Sequence, residues 1–306
     1  MLTIESKLYE QDGFLVVPNL LNPTKADELV RDIRPLMTSG DLLARRMQDG
    51  WLKSSTVKDL ATHPKILELL STLYGRRPIP FQTLNFSRGS EQTTHSDAYH
   101  FNSIPRGFMC GVWVALEDIT SENGPLHYYP GSHRAPERFP GDELLDAQNQ
   151  QISYAAIIAQ DIEKFGLKKT QVQLKKGDAF IWSSNLFHGG DPIADTQSTR
   201  WSQVTHYYFE NCIYYTPALS CRPLGQFFLR RIVDISTGQP VSISLNGKPI
   251  RARQNAKGTW SIDVPSHNMM SLKSRLTFWL RSRINFVNGF TRKLLLRIRG
   301  PIVYLE

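Results

Sequence analysis

The sequence predicts a mainly β protein with flanking helices, its core a double-stranded β-helix of the jelly-roll, cupin-like kind. Two amphipathic helical stretches precede residue 76, and about eight short strand-like runs separated by turn residues follow between residues 79 and 209. With 306 residues, 41% of them hydrophobic, the chain can bury a substantial core.

Tyr9 to Leu20 reads as a helix end, a turn at Asp12-Gly13 and a short apolar strand, Phe14 to Val17, stopped by Pro18. Asn22-Pro23 then supplies an N-cap and a first-turn proline for a helix to about Ile33, with Ala26, Leu29, Val30 and Ile33 on one face. Residues 37–58 are charged and irregular, which suits a flap over a pocket. Pro64 to Tyr74 is a second helix, apolar at Ile66, Leu67, Leu69, Leu70 and Leu73 and closed by Gly75. Strands are expected at Phe81 to Phe86, around His95, at Gly107 to Leu116, Leu126 to Tyr129, Gln171 to Leu174, Ala179 to Trp182 and Trp201 to Phe209. Between them, residues 143–165 read as a polar helical insertion, a common cover for a site.

His95 and Asp97 stand two residues apart. On an extended strand they would leave on the same face and project side by side. His188, more than ninety residues later in Asn185-Leu-Phe-His-Gly-Gly190, suits a partner strand of the same barrel. Two histidines and a carboxylate on a rigid sheet make a facial triad and point to non-haem iron(II). Taken alone the pair is weak evidence, because chance supplies roughly 0.4 His-x-Asp occurrences at this composition. A strand histidine hydrogen-bonded to its neighbouring carboxylate explains it equally well.

The wider pattern resembles the phytanoyl-CoA dioxygenase family of iron(II)- and 2-oxoglutarate-dependent oxygenases. The likeness runs through Asp12-Gly-Phe-Leu-Val-Val-Pro18, His95-Ser-Asp97, Trp113, Asn123-Gly124-Pro-Leu126 and Pro130-Gly-Ser-His133. It continues in Gly177-Asp178, His188-Gly-Gly190 and Arg200. The resemblance implies that His95, Asp97 and His188 hold iron(II) and that Arg200 forks onto the far carboxylate of 2-oxoglutarate. Ser202, two residues on, would add a hydroxyl, and Trp113 would line the cosubstrate pocket. Dioxygen is the implied second cosubstrate, with ascorbate as an accessory reductant. The expected reaction hydroxylates a C–H bond of a small-molecule, lipid-like or CoA-bearing substrate, releasing succinate and carbon dioxide. A carboxylate at position 97, where halogenating relatives carry Ala or Gly, favours hydroxylation. Desaturation, epoxidation and ring formation use the same ligands. A noncatalytic or non-oxidative cupin-like metal-binding protein is the alternative.

Neighbouring residues carry plainer readings. Tyr99 would share the face of Asp97 if the strand continued, and Gln82 is a polar residue in an apolar strand; both suit a substrate pocket or ordinary packing. His133 reads as a turn residue, and His127 and His206 as hydrogen-bonded sheet residues. His100, close to the proposed iron strand, is less easily dismissed.

The net charge of +8 is unevenly spread: residues 241–306 hold twelve Lys or Arg against two acids, so residues 1–240 sum to −2. We therefore divide the chain into a jelly-roll domain, 1–210, and a basic extension, 211–306, packed on it. In the extension Asn246-Gly247 marks a hairpin, Thr259 to Val264 suits a further strand, and Leu272 to Val287 and Phe290 to Ile298, parted by Asn288-Gly289, have helical periodicity with eight basic residues interleaved from Lys273 to Arg299. A solvated helical face is one reading of that charge. A peripheral contact with anionic lipid, or a landing surface for an anionic substrate, is the other. No nucleic-acid module accompanies the charge, so nucleic acid is not an expected partner. Three cysteines without C-x-x-C spacing, and no apolar run of spanning length, suit a reducing, cytoplasmic setting.

Overall fold

The computed structural model describes residues 4–37, 46–138, 153–220, 226–245, 247–254, 260–262 and 302–305. Helix α1 (Ile4–Asp12) ends at Gly13, whose φ of +79° turns the chain into strand β1 (Phe14–Val17). Helix α2 (Pro23–Ile33) begins as its residues dictate: the Asn22 side chain accepts the Thr24 amide at 2.9 Å, and Ala26, Leu29 and Ile33 are buried.

The expectation of an irregular flap is corrected where the structure describes it. Strand β2 (Arg46–Gln48) joins a sheet, and α3 (Ser55–Ala61) is a helix whose cap, Ser54 Oγ, accepts the Val57 amide. Val57, Leu60 and Ala61 form its buried face, an apolar spacing that the surrounding charges masked. Residues 38–45 lie outside the described residues. Helix α4 (Pro64–Tyr74) follows and ends at Gly75, φ +64°.

The remaining elements of the core are β3 (Pro78–Phe86), β4 (Asn102–Ile104), β5 (Met109–Ala115), β6 (Leu126–Tyr128), α5 (Tyr154–Lys164) and β7 (Thr170–Gln171). After them come β8 (Ala179–Ser183), β9 (His188–Gly190), β10 (Ser202–Phe209) and β11 (Ile213–Tyr215). Of the expected insertion, residues 143–152 lie outside the described residues. One sheet has the order β1-β8-β5-β10-β3-β2 and is antiparallel throughout. Facing it, β7-β6-β9 forms a smaller sheet, extended by single bridges at His95↔His188 and Ile119↔Leu174. The two sheets make the jelly roll.

Period-two alternation sorts the side chains of the large sheet. Cys110, Val112, Val114, Ala179 and Ile181 pack outward in one cluster with Leu29, Ile33, Val57, Leu60 and Leu70 from the helices. Trp113, Phe180, Trp182 and Val204 point the other way, into the space between the sheets, with Leu126, Tyr128 and Leu174 opposite. Each large side chain buried there contributes roughly 1.5–3 kcal/mol. The helices brace one face, and the chemistry is left to the other.

The chain beyond β11 adds β12 (Gln226–Phe227), β13 (Val233–Asp234), β14 (Gln239–Pro240), β15 (Ser244–Leu245), β16 (Lys248–Gln254), β17 (Trp260–Ile262) and β18 (Ile302–Leu305). Strands β15 and β16 pair antiparallel, with Leu245 opposite Lys248 and Gly247 at φ +75°, and β17 pairs with β16. Phe227, Ile250 and Trp260 share one hydrophobic cluster with Ile79, Phe81, Met109 and Tyr208 of the barrel. The helical periodicity at 272–298, with its proposed lipid or substrate contact, lies outside the described residues. Cys110 and Cys212 are buried free thiols. Among the described residues, no helix is long and apolar enough to cross a membrane.

Candidate metal centre

Strand β9 opens with His188, and the backbones of His188 and His95 exchange two hydrogen bonds, at 2.9 and 3.0 Å. This pairing sets the two imidazoles side by side, ring centroids 4.5 Å apart. The strand expected around His95 is reduced to a single bridge to His188. Ser96 accepts the Ala98 amide on its own Oγ, and residues Asp97–Tyr99 form a turn of 3-10 helix. Asp97 is nevertheless carried to the histidines: its Oδ1 is 3.8 Å from His95 Nε2 and its Oδ2 3.9 Å from His188 Nε2.

The ring nitrogens are assigned by their partners. His95 Nδ1 lies 2.9 Å from the Thr93 carbonyl and His188 Nδ1 2.9 Å from the Leu186 carbonyl, so each Nδ1 carries the hydrogen and donates it. Both Nε2 lone pairs are thereby freed, and that of His95 accepts from the Gln92 amide at 3.2 Å. Burial, helped by the neighbouring His188, pushes His95 down to about 4, and burial likewise lowers His188. Burial opposes the charge on Asp97, but the imidazoles of His188, His206 and His95 outweigh it and hold the carboxyl well below its usual range. Neutral imidazoles and an ionised carboxylate are the ligating forms of these groups. One nitrogen from each histidine and one Asp97 oxygen fall within 4.8 Å of one another, a spacing that fits a single metal ion. The 2-His-1-carboxylate donor set, with one side open, suits iron(II).

The open side is a cavity of about 270 Å³. Arg200, two residues before β10, lines it and is only 3% exposed. Its Nη1 donates to the Gly124 carbonyl at 3.0 Å, while its Nε has no partner. Trp113 and Phe86 flank the guanidinium at 5.2 and 5.6 Å. Burial lowers its pKa to about 10, which leaves it charged at neutral pH. A buried cation with a spare N–H on a cavity wall fits the carboxylate of a bound acid.

The remaining candidates divide. Gln82 lines the cavity, its Oε1 3.0 Å from His206 Nδ1, and His100 and Trp113 line it too. Tyr99 is not among the lining residues: the 3-10 turn breaks the strand period and stacks its ring on Tyr154 of α5 at 4.0 Å. Ser202 Oγ donates to the Arg200 carbonyl at 3.4 Å and is fully buried. His133 Nε2 donates to the Glu10 carbonyl, and His127 is held between Asp191 and Thr94.

Two residues of the site went unrecognised in the sequence. Trp182 donates its indole N–H to Asp97 Oδ2 at 2.8 Å, and His206 Nε2 approaches the same oxygen to 3.6 Å. Both lie on inward positions of their strands. Extending the face of Arg200 and Ser202 by two further steps reaches His206.

Known proteins resemble this chain in sequence and in fold. The family model described as phytanoyl-CoA dioxygenase matches residues 9–200. The peroxisomal phytanoyl-CoA dioxygenase of Bos taurus is 23% identical over 239 residues, 69% of each chain. The ectoine dioxygenase of Nocardia farcinica is 26% identical over 209 residues, covering 59% of this chain and 69% of that protein. Among solved structures, the α-ketoglutarate-dependent epimerase SnoN from nogalamycin biosynthesis superposes with a TM-score of 0.55 at 24% identity, over 69% of this chain and 84% of that one. The chain belongs to the phytanoyl-CoA dioxygenase family of iron(II)- and 2-oxoglutarate-dependent oxygenases.

Proposed function

We propose that this oxygenase hydroxylates an unactivated C–H bond of a small polar molecule. In this reading His95, Asp97 and His188 hold iron(II), and Arg200 anchors the far carboxylate of 2-oxoglutarate. One observation carries it: the three ligand-competent side chains and a charged guanidinium with an unpartnered N–H line the same cavity. When bound, iron and 2-oxoglutarate supply, with dioxygen, the oxidising power to take hydrogen from carbon, releasing succinate and carbon dioxide.

The protein's own work is placement. The backbone pairing of His95 with His188 and the two Nδ1–H contacts to carbonyls hold both imidazoles before any ligand arrives. Trp113 and Phe86 keep water from the guanidinium, which strengthens its grip on a carboxylate. Along the inward face shared with β10, Arg200 and His206 are six residues apart, about 20 Å of extended chain. This supports a cosubstrate end at Arg200 and a substrate end at His206, Gln82, His100 and Phe101. Gln82, His100 and His206 favour a compact, hydrogen-bonding substrate over a long acyl chain, and the similarity to an ectoine dioxygenase also supports a small molecule.

The test is anaerobic addition of iron(II) and 2-oxoglutarate to the metal-free protein. A weak visible charge-transfer band is expected, absent from His95→Ala and Arg200→Ala. On admission of air with ascorbate present, succinate should form. No band and no succinate from the intact protein would favour a noncatalytic jelly roll instead.

A further inference from the structure

The carboxylate of Asp97 has two oxygens, and the protein treats them differently. Each faces one imidazole nitrogen, Oδ1 that of His95 at 3.8 Å and Oδ2 that of His188 at 3.9 Å, but Oδ2 also accepts the indole N–H of Trp182 at 2.8 Å. The indole is 2% exposed, and its ring lies 5.1 Å from the His188 ring. It can lie there only because the residue opposite it on β5 has no side chain. In the β5–β8 register Gly111 pairs with Trp182, and a Cβ at position 111 would sit 2.2 Å from Trp182 Cζ2 and 2.4 Å from Cε2. His206 Nε2, 3.6 Å from the same oxygen, is beyond hydrogen-bond reach.

We propose that Trp182, seated on Gly111, is a positioning residue that makes Asp97 a one-oxygen metal ligand. The indole occupies Oδ2 and leaves Oδ1 to the ion. A carboxylate free to swing could bind through both oxygens and take a coordination position the cosubstrate needs. A neutral N–H prevents this without adding charge. The inference rests on Asp97 being a ligand, the reading given above.

It is tested by anaerobic iron(II) titration of the metal-free protein and of Trp182→Phe, Gly111→Ala and the double variant. Trp182→Phe keeps an aromatic ring and loses the donor, so the iron Kd should weaken about 10- to 100-fold. Gly111→Ala displaces the indole and should weaken binding over the same range. Phenylalanine has no Cζ2 or Cη2, two of the three ring atoms nearest the new methyl, and no N–H left to displace, so the double variant should bind iron about as Trp182→Phe alone does. Thermal denaturation of the metal-free proteins separates this from packing. A purely structural tryptophan would lower the melting midpoint and leave the iron Kd within about threefold of the parent, less than loss of an outer-shell partner brings; that result overturns the proposal. Should Gly111→Ala fail to fold, the Trp182→Phe titration decides alone. If the parent protein takes up no iron, the ligand assignment itself falls and this inference with it. If the parent binds and Trp182→Phe matches it, only this inference falls.

Discussion

Two histidine–aspartate clusters lie one strand apart in this protein, and they differ in what their lone pairs do. In the first, His127 Nδ1 meets Asp191 Oδ1 at 2.8 Å and Nε2 meets Thr94 Oγ1 at 2.8 Å. Gln171 and Lys169 also bind Asp191, both at 2.6 Å. Gly189 fits beneath the ring, where a Cβ would be 2.7 Å from Cε1. Both ring nitrogens and both carboxylate oxygens have protein partners, and the network ties the residue before His95 to the small sheet. In the second cluster, His95 and His188 each commit one nitrogen to a backbone carbonyl and turn the other toward Asp97 and a cavity. His127 and Asp191 are as deeply buried as His188 and Asp97, so burial does not tell the clusters apart. What marks a site is donor capacity directed at shared space rather than at a protein partner.

The comparison can be broken by substitution, and the largest effect is expected at the second cluster. His188→Ala removes one of the three converging donors; iron(II)-dependent succinate release should drop to the level of a blank without enzyme. Next comes Arg200→Lys, which keeps the charge and loses the fork. The 2-oxoglutarate concentration for half-maximal succinate release should rise about 10- to 100-fold, the equivalent of one charge-assisted hydrogen bond. The first cluster should respond in stability alone. Asp191→Ala strands His127, Lys169 and Gln171 and should cost about 1–3 kcal/mol in urea denaturation, with the iron–2-oxoglutarate band retained. Loss of the band in Asp191→Ala would erase the distinction between the clusters. The smallest effect belongs to Gln92→Ala. Its amide sits on His95 Nε2 at 3.2 Å, so its removal should tighten iron binding about two- to tenfold, the worth of one neutral hydrogen bond.

Much of this was legible in the sequence because alternation is a local property. Asn22-Pro23 starts α2, Gly75 ends α4, and strands β5, β8 and β10 stand where their apolar runs predict. The approach of His95 and Asp97 to His188 was readable from residue type and from the family pattern. The path that brings them together was not. An extended strand was expected, yet Ser96 bonds the backbone and Asp97 enters a 3-10 turn, a competition between side chain and ladder that spacing alone does not reveal. The same turn removes Tyr99 from the cavity wall. The role of Trp182 is not legible in the sequence because it depends on a cross-strand neighbour, Gly111, that only register identifies. Helix α3 is hard to read from the sequence because lysine and aspartate interrupt a short apolar face whose stability comes from packing on α2.

The most direct test is a crystal structure of the protein loaded anaerobically with iron(II), with the metal located by anomalous scattering at the iron edge. The account predicts one strong peak bonded to His95 Nε2, His188 Nε2 and a single oxygen of Asp97. A fully loaded protein with its peak between His127 and Asp191, or with none among His95, Asp97 and His188, would contradict it.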